Sequence, residues 1–232
     1  MLWTASELVG STIKATDGDL GTVSDLLFDD QSWMVRWLVV DTGNWLPGRL
    51  VLLPLSVLGR PERAMRRFPV KLTMKQVQDS PDAGTHLPVS RQLEATLFSH
   101  YGWEPYWGGD LYPVSNAIAV PYAVPPPPSQ TIRLAEGSPS HLRSSVSVTG
   151  YHIHARDGEI GHASDLLLDD ADWTIRDIII DTQNWLPGKG VLAGTSHVEK
   201  IDWAERLIYL SLPIQKIKTS PAYEPVIAMR GS

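Results

Sequence analysis

Two pairs of adjacent carboxylates, Asp29-Asp30 and Asp169-Asp170, are the first residues whose type suits chemistry. With Asp172 beside the second pair, they offer oxygen atoms to a divalent cation or a pair of groups for acid–base work. Hard cations need several oxygen ligands, and neither run has the spacing of a known cation-binding loop. No cleft partner for proton transfer is identifiable either, so the reading is a solvated turn. His152 and His154 alternate on one strand and share a face, which suits two metal ligands. The residues 140 positions earlier are Thr12 and Lys14, which cannot ligate, and the expectation is a half-exposed strand face. Ser24-Asp25 and Ser164-Asp165 would need an adjacent base to yield a nucleophile, and only the second has a histidine nearby, His162. His197 is unsupported, and His86, His100 and His141 lack ligand spacing. Gly18 and Gly21 read as hairpin glycines, not as a phosphate loop. No catalytic, cofactor-binding or metal-binding residue is assigned, and no cofactor is expected.

The strongest candidates are two loops that say the same thing. Asp41-Thr42-Gly43-Asn44-Trp45-Leu46-Pro47-Gly48 returns as Asp181-Thr182-Gln183-Asn184-Trp185-Leu186-Pro187-Gly188, at a constant spacing of 140 residues. Pro-Gly suits the central positions of a type II turn. If exposed, Trp45 and Trp185 would be equivalent aromatic anchors of the kind that dominate interfaces. The alternative is that each ring covers the end of its own unit or the seam between units. Asn44 and Asn184 are expected to bond the turn backbone. Arg60, Arg63, Arg66 and Arg67 form a basic cluster that reads as a solvated face, or as a contact for an acidic partner or RNA.

The same spacing relates Gly10 to Gly150, Asp17-Gly18 to Asp157-Gly158, Gly21 to Gly161 and Ser80-Pro81 to Ser220-Pro221. A unit of about 70 residues occurring twice indicates duplicated domains, not a solenoid. Three segments are expected: a first domain at 1–82, a connecting segment at 83–147 and a second domain at 148–232. Inside each repeat the pattern is β. The expected strands are 11–15, 21–29, 33–41 and 49–53, with twins in the second copy. Residues 201–210 read as a turn leading into a strand. Trp33 to Asp41 is almost continuously apolar and β-branched, as for a central strand covered on both faces. Met74–Val77 and Ile214–Ile217 are expected to be short closing helices. In the connecting segment, Leu93, Leu97 and Tyr101 recur at helical spacing between Ser90 and Gly102. The aromatics Trp103, Tyr106, Trp107 and Tyr112 and the stretch Pro125–Pro128 follow.

Composition bounds the rest. With 43% hydrophobic and 20% charged residues the chain is globular. The net charge of −6 argues against phosphate-directed nucleic-acid binding. Cysteine is absent, which removes disulfides and thiolate chemistry. The opening MLWTASELVGSTIK lacks a basic start followed by an apolar run, and no stretch is long enough to span a bilayer, so a cytoplasmic protein is expected.

The set Asp17-Gly18, Gly21, Asp25-Leu26-Leu27, Asp29-Asp30, Trp33, Arg36 and Leu38-Val39-Val40-Asp41 resembles the PRC-barrel family. That family is named for the cytoplasmic domain of the photosynthetic reaction centre H subunit. A related barrel forms half of a bacterial 16S rRNA-processing factor. The resemblance covers both repeats. Pro88–Gln92, followed by Tyr101-Gly102-Trp103, looks like the segment after the barrel in stand-alone bacterial members. The resemblance implies a mainly β protein with two small PRC-barrel-like β-barrels related by duplication, and a helix-containing, proline-rich connection. It also implies an adaptor-like role, since fold alone does not supply activity. The expectation is a non-enzymatic interaction or scaffold protein with a protein partner, self-association staying open. The alternatives are an accessory of a membrane electron-transfer complex and a ribosome-associated factor. A third is a metal-dependent hydrolase using Asp169, Asp170 or the histidines.

Overall fold

The computed structural model describes residues 1–80, 91–103, 141–182 and 190–223. These fall into two compact units. One comprises Met1–Pro88 with His141–Ser232; the other is Val89–Ser140. Both repeats therefore share a single unit.

In the first half the elements are β1 (Leu2–Thr4), α1 (Ala5–Leu8), β2 (Thr12–Lys14), β3 (Asp19–Asp29), β4 (Val35–Asp41), β5 (Leu50–Pro54), β6 (Arg67–Pro69) and α2 (Met74–Gln78). After α3 (Arg91–Tyr101), the second half supplies β7 (Leu142–Ser144), α4 (Ser145–Val148), β8 (His152–Ala155), β9 (Gly158–Asp169) and β10 (Thr174–Asp181). It ends with β11 (Gly190–Gly194), β12 (Val198–Asp202), β13 (Leu207–Leu210), α5 (Ile214–Lys218) and β14 (Ala222–Tyr223). The apolar run of β4 is buried from Trp37 through Val40. Four consecutive buried residues mean that both faces of the strand are covered. Gly21 and Gly161 make this packing possible: a Cβ on either would overlap the carbonyl oxygen of Asp41 or Asp181, and both have positive φ.

Two sheets result. One runs β5-β4-β3-β2-β6, with β7 also on β3; the other runs β12-β13-β8-β9-β10-β11-β14, with β1 also on β9. Neither is a closed barrel, which corrects the expectation. The reason is visible in the chain path. β11 leads through the 3-10 turn Thr195–His197 directly into β12, so the covalent chain rounds the corner where a closed barrel would have a hydrogen-bonded ladder. In the first half the corresponding stretch contains only the isolated bridges Leu58↔Val70 and Glu62↔Arg67.

The two halves are joined by exchanged segments. β1 pairs with β9 of the other half, with Leu2 opposite Asp169 and Thr4 opposite Leu167. β7 pairs with β3, with Leu142 opposite Asp29 and Ser144 opposite Leu27. Every one of these residues sits 140 positions from its equivalent in the other pairing. Between the sheets, Met34 bridges Thr174, its own counterpart. Val35 N–H donates to Trp173 O at 2.9 Å and Ile175 N–H donates to Trp33 O at 2.8 Å. These bonds explain a second difference from expectation. Trp33 and Trp173 do not begin strands but take left-handed φ of 58° and 57°, at a cost of about 1–2 kcal/mol each. That conformation turns their carbonyls toward the opposite half.

Residues 142–147, expected within the connecting segment, thus belong to the β unit as β7 and most of α4. Nothing in their short, mixed pattern advertises a strand, because their ladder partner lies more than 110 residues away. In the other unit, α3 ends as expected: Gly102 has φ 68° and Trp103 N–H donates to Phe98 O at 2.9 Å. Tyr101 stacks on Trp103 at 4.1 Å. Ser90, Tyr106, Trp107, Tyr112 and Pro125–Pro128 lie outside the described residues. No helix among the described residues is long and apolar enough to cross a membrane.

Candidate functional site

The loop after β4 is built from its own sequence. Asp41 Oδ1 accepts from Gly43 N at 2.8 Å, and Thr42 Oγ1 lies 2.8 and 2.9 Å from the carbonyls of Leu46 and Arg49. Arg49 N–H donates to Leu46 O at 3.1 Å and Gly48 has φ 75°. Pro47-Gly48 therefore occupies the centre of the expected type II turn. Trp45 is half-buried, and its indole Nε1 donates to Leu20 O of its own half at 2.6 Å. The ring is thus tied to its own half, and only a part of it reaches the surface. Asn44 is exposed, and the turn is braced by Asp41 and Thr42 in its place, contrary to expectation. Arg49 ties the loop to the end of α2 by donating to Gln78 O at 2.7 Å and to Ser80 O. Asn184, Trp185, Leu186, Pro187 and Gly188 lie outside the described residues.

The acidic turns are not solvated pairs, which is a further correction. Asp29 is 8% exposed. Its Oδ1 accepts from Gln31 N at 3.1 Å, Ser32 N at 2.8 Å and Ser32 Oγ at 3.0 Å. Burial alone would raise its pKa, but the hydrogen bonds from Ser32 and Gln31 and the charge of Arg36 leave it below the usual carboxylate range. Asp30 receives Arg143 Nε at 2.8 Å and faces His141 at 3.4 Å. Asp170 receives Trp3 Nε1 at 3.2 Å. Each second carboxylate of a turn therefore holds the segment exchanged from the other half.

Asp25 and Asp165 act alike. Asp25 is 6% exposed and accepts from Leu26 N at 2.7 Å, Ser145 Oγ at 2.9 Å, Val146 N at 3.1 Å and Ser144 Oγ. Asp165 accepts from Leu166 N at 2.8 Å, Ser6 N at 3.2 Å and Ser6 Oγ. The neighbouring hydroxyls of Ser24 and Ser164 donate to Val39 O and Ile179 O, which ties them to the sheet and away from any base.

The arginine cluster divides: Arg60 and Arg66 are exposed, as a solvated face requires, while Arg63 is half-buried and turned onto the N-terminal segment. Arg63 donates to Leu2 O at 2.6 Å, pairs with Glu7 at 3.2 Å and lies 4.1 Å over the Trp3 ring. In the second half the partners are swapped: Arg143 lies 4.4 Å over Trp203. The two positions keep one cation and one indole with the order reversed, so the stacking is retained. Arg66 donates to Val9 O at 2.8 Å. Two of the four arginines, Arg63 and Arg66, thus clamp the N-terminal segment.

His152 and His162 lie opposite each other in the β8–β9 ladder, but each has its own carboxylate neighbour. His152 bonds Glu159 at 2.9 Å, His154 packs 5.7 Å from Tyr209, and His162 lies 3.9 Å from Asp181. Among the described residues, no three His, Asp or Glu are grouped to hold a metal. What the sequence reading missed is the exchange itself, and its one legible signal is the Thr4-to-Glu7 capping box of α1. There Thr4 Oγ1 accepts from Glu7 N at 3.2 Å, and Glu7 Oε2 accepts from Thr4 N at 3.0 Å.

Residues 4–65 match the family model of the PRC-barrel domain. The chain carries a PRC-barrel domain in its first half, running from the end of β1 to the 3-10 turn at Arg63–Met65. No curated protein matches the sequence.

Proposed function

We propose that this protein is a non-enzymatic, cytoplasmic interaction or scaffold protein, made of two PRC-barrel-like halves that arose by duplication and fused what was a dimer. The observation that carries this reading is the use made of its reactive side chains. Asp25, Asp165, Asp30 and Asp170 all accept hydrogen bonds from the segment exchanged from the other half, and Ser24 and Ser164 are bound to sheet carbonyls. A catalytic group needs its lone pairs or proton free for a substrate, and these are committed to holding the halves together. The exchange of β1 and β7 supports the fused-dimer origin, since reciprocal contacts between like residues are the mark of an isologous interface. Arg63 and Arg66 both bond the N-terminal segment, which weighs against their serving as an RNA contact. The contact site we assign is the Trp45 loop, with Asn44, Leu46, Pro47 and Gly48, together with its Trp185 twin.

Affinity capture from native lysate tests the reading, using the full chain and a variant with Trp45→Ala and Trp185→Ala. A protein partner retained by the parent and lost by the folded double variant is the expected result. Sustained turnover of a small molecule by the purified protein overturns it.

A further inference from the structure

β12 ends its sheet. Its inner edge pairs with β13, Ile201 opposite Ile208 and Asp202 opposite Leu207. Its outer edge carries no strand among the described residues. A groove of about 220 Å³ lies against it, touching Val198, Glu199, Lys200 and Ile201 in succession. The ladder is bulged between Val198 and Lys200, and past the bulge Lys200 and Ile201 point to opposite faces, so a cavity that meets both meets the strand edge-on. Unpaired N–H and C=O groups on such an edge are a template for another strand. The first half is built otherwise. The positions equivalent to Lys200 and Ile201 are Arg60 and Pro61, and proline offers no N–H and blunts an edge. One half closes this edge with proline; the other bears a bulge and Lys200 but keeps its N–H groups, beside a groove.

We propose that this groove binds an extended segment of a partner protein, which adds to the sheet as a strand alongside β12. The proposal rests on the adaptor reading above and supplies it with a second contact, away from the Trp45 loop. Main-chain bonding would supply affinity and the groove walls would supply selectivity. The far wall is Trp33, half-buried and stacked on Phe28 at 5.4 Å. Trp203, fixed beneath Arg143, lines the same groove. Two held aromatic faces suit an aliphatic side chain between them. Lys200 is drawn to Asp202 at 3.1 Å and Asp30 is neutralised by Arg143 at 2.8 Å. Glu199 is exposed and in no ion pair among the described residues, so the charge left over is negative and the complementary peptide is basic. A second copy of this chain is a poor occupant. Two copies joined through β12 would bring the same uncompensated Glu199 charge to one short ladder, where like charges oppose pairing.

The test uses the full chain and an acetylated, amidated seven-residue peptide of alternating Lys and Val, with a Glu-and-Val peptide as control. Backbone hydrogen exchange reports where the peptide lies. The expected result is slowed exchange at 198–202 with the basic peptide. Ile201→Pro, which copies the first half, and Glu199→Lys should each weaken binding about tenfold or more. Glu199→Lys should also reverse the preference toward the acidic peptide, a readout that survives if the proline variant does not fold. Three results overturn the proposal: no protection at about 1 mM peptide, equal binding by folded Ile201→Pro, or protection of 198–202 that grows with protein concentration alone. If β12 fails in this way while a captured partner still depends on Trp45, the adaptor reading stands and only the strand-addition site falls. Protection of β12 with no partner dependent on Trp45 supports the groove and removes the loop.

Discussion

Replacing Asp25 by alanine tests whether the exchanged segments hold the halves together. The carboxylate is 6% exposed, and Ser145, which donates to it, is 1% exposed. Alanine leaves buried Ser145 Oγ–H without its acceptor and Leu26 N–H with only the longer 3.4 Å bond to Ser145 Oγ. Each orphaned buried donor costs about 1–3 kcal/mol. Relief from burying the carboxylate returns part of this, so the expected loss is about 2–4 kcal/mol. Asp165→Ala should cost less, about 1 kcal/mol. Its donor Ser6 is exposed and water can replace the carboxylate, and the position equivalent to Ser145 is Ala5, which has no hydroxyl to orphan. Asp25→Asn keeps one acceptor oxygen and should fall between the two. Urea unfolding of the full chain, followed by tryptophan fluorescence, measures all three. The exchanged strands couple the halves, so one transition is expected, with Asp25→Ala shifting its midpoint down by about 1 M. An Asp25→Ala loss below about 0.5 kcal/mol, or an Asp165→Ala loss equal to it, refutes the reasoning.

Gly21→Ala should be among the most damaging single changes, at about 3 kcal/mol or more by thermal unfolding, because its Cβ meets backbone that cannot move aside. Trp45→Phe removes the bond to Leu20 O and should cost about 1 kcal/mol; a change within error would show the loop is not pinned by it. The pKa of Asp29 is depressed in the fold. Its contribution is therefore present above the unfolded carboxylate value of about 3.9 and is lost as pH falls through the lower folded value. Acid titration of unfolding free energy should lose part of its slope below about pH 4 in Asp29→Asn, and an unchanged slope would contradict the assignment.

Much of the fold was legible because it is local. The hairpin glycines, the apolar β4 run, the Pro47-Gly48 turn and the closing helices each follow from a few neighbouring residues. Residues 201–210 read as a turn leading into a strand, yet Ile201 and Asp202 close a strand, β12, because β13 supplies the ladder. The acidic turns looked solvated because their partners, Arg143 and Trp3, are far away in the chain.

By itself the sequence determined that a β unit is written twice at a spacing of 140 residues, with equivalent loops, since periodicity and turn chemistry are carried by short windows of side chains. Only the tertiary structure decided that the halves trade β1 and β7, that the sheets stay open, and that β12 has no outer neighbour among the described residues. Hydrogen bonds between distant segments leave no periodic trace, so which strand lies beside which is settled only when the whole unit packs.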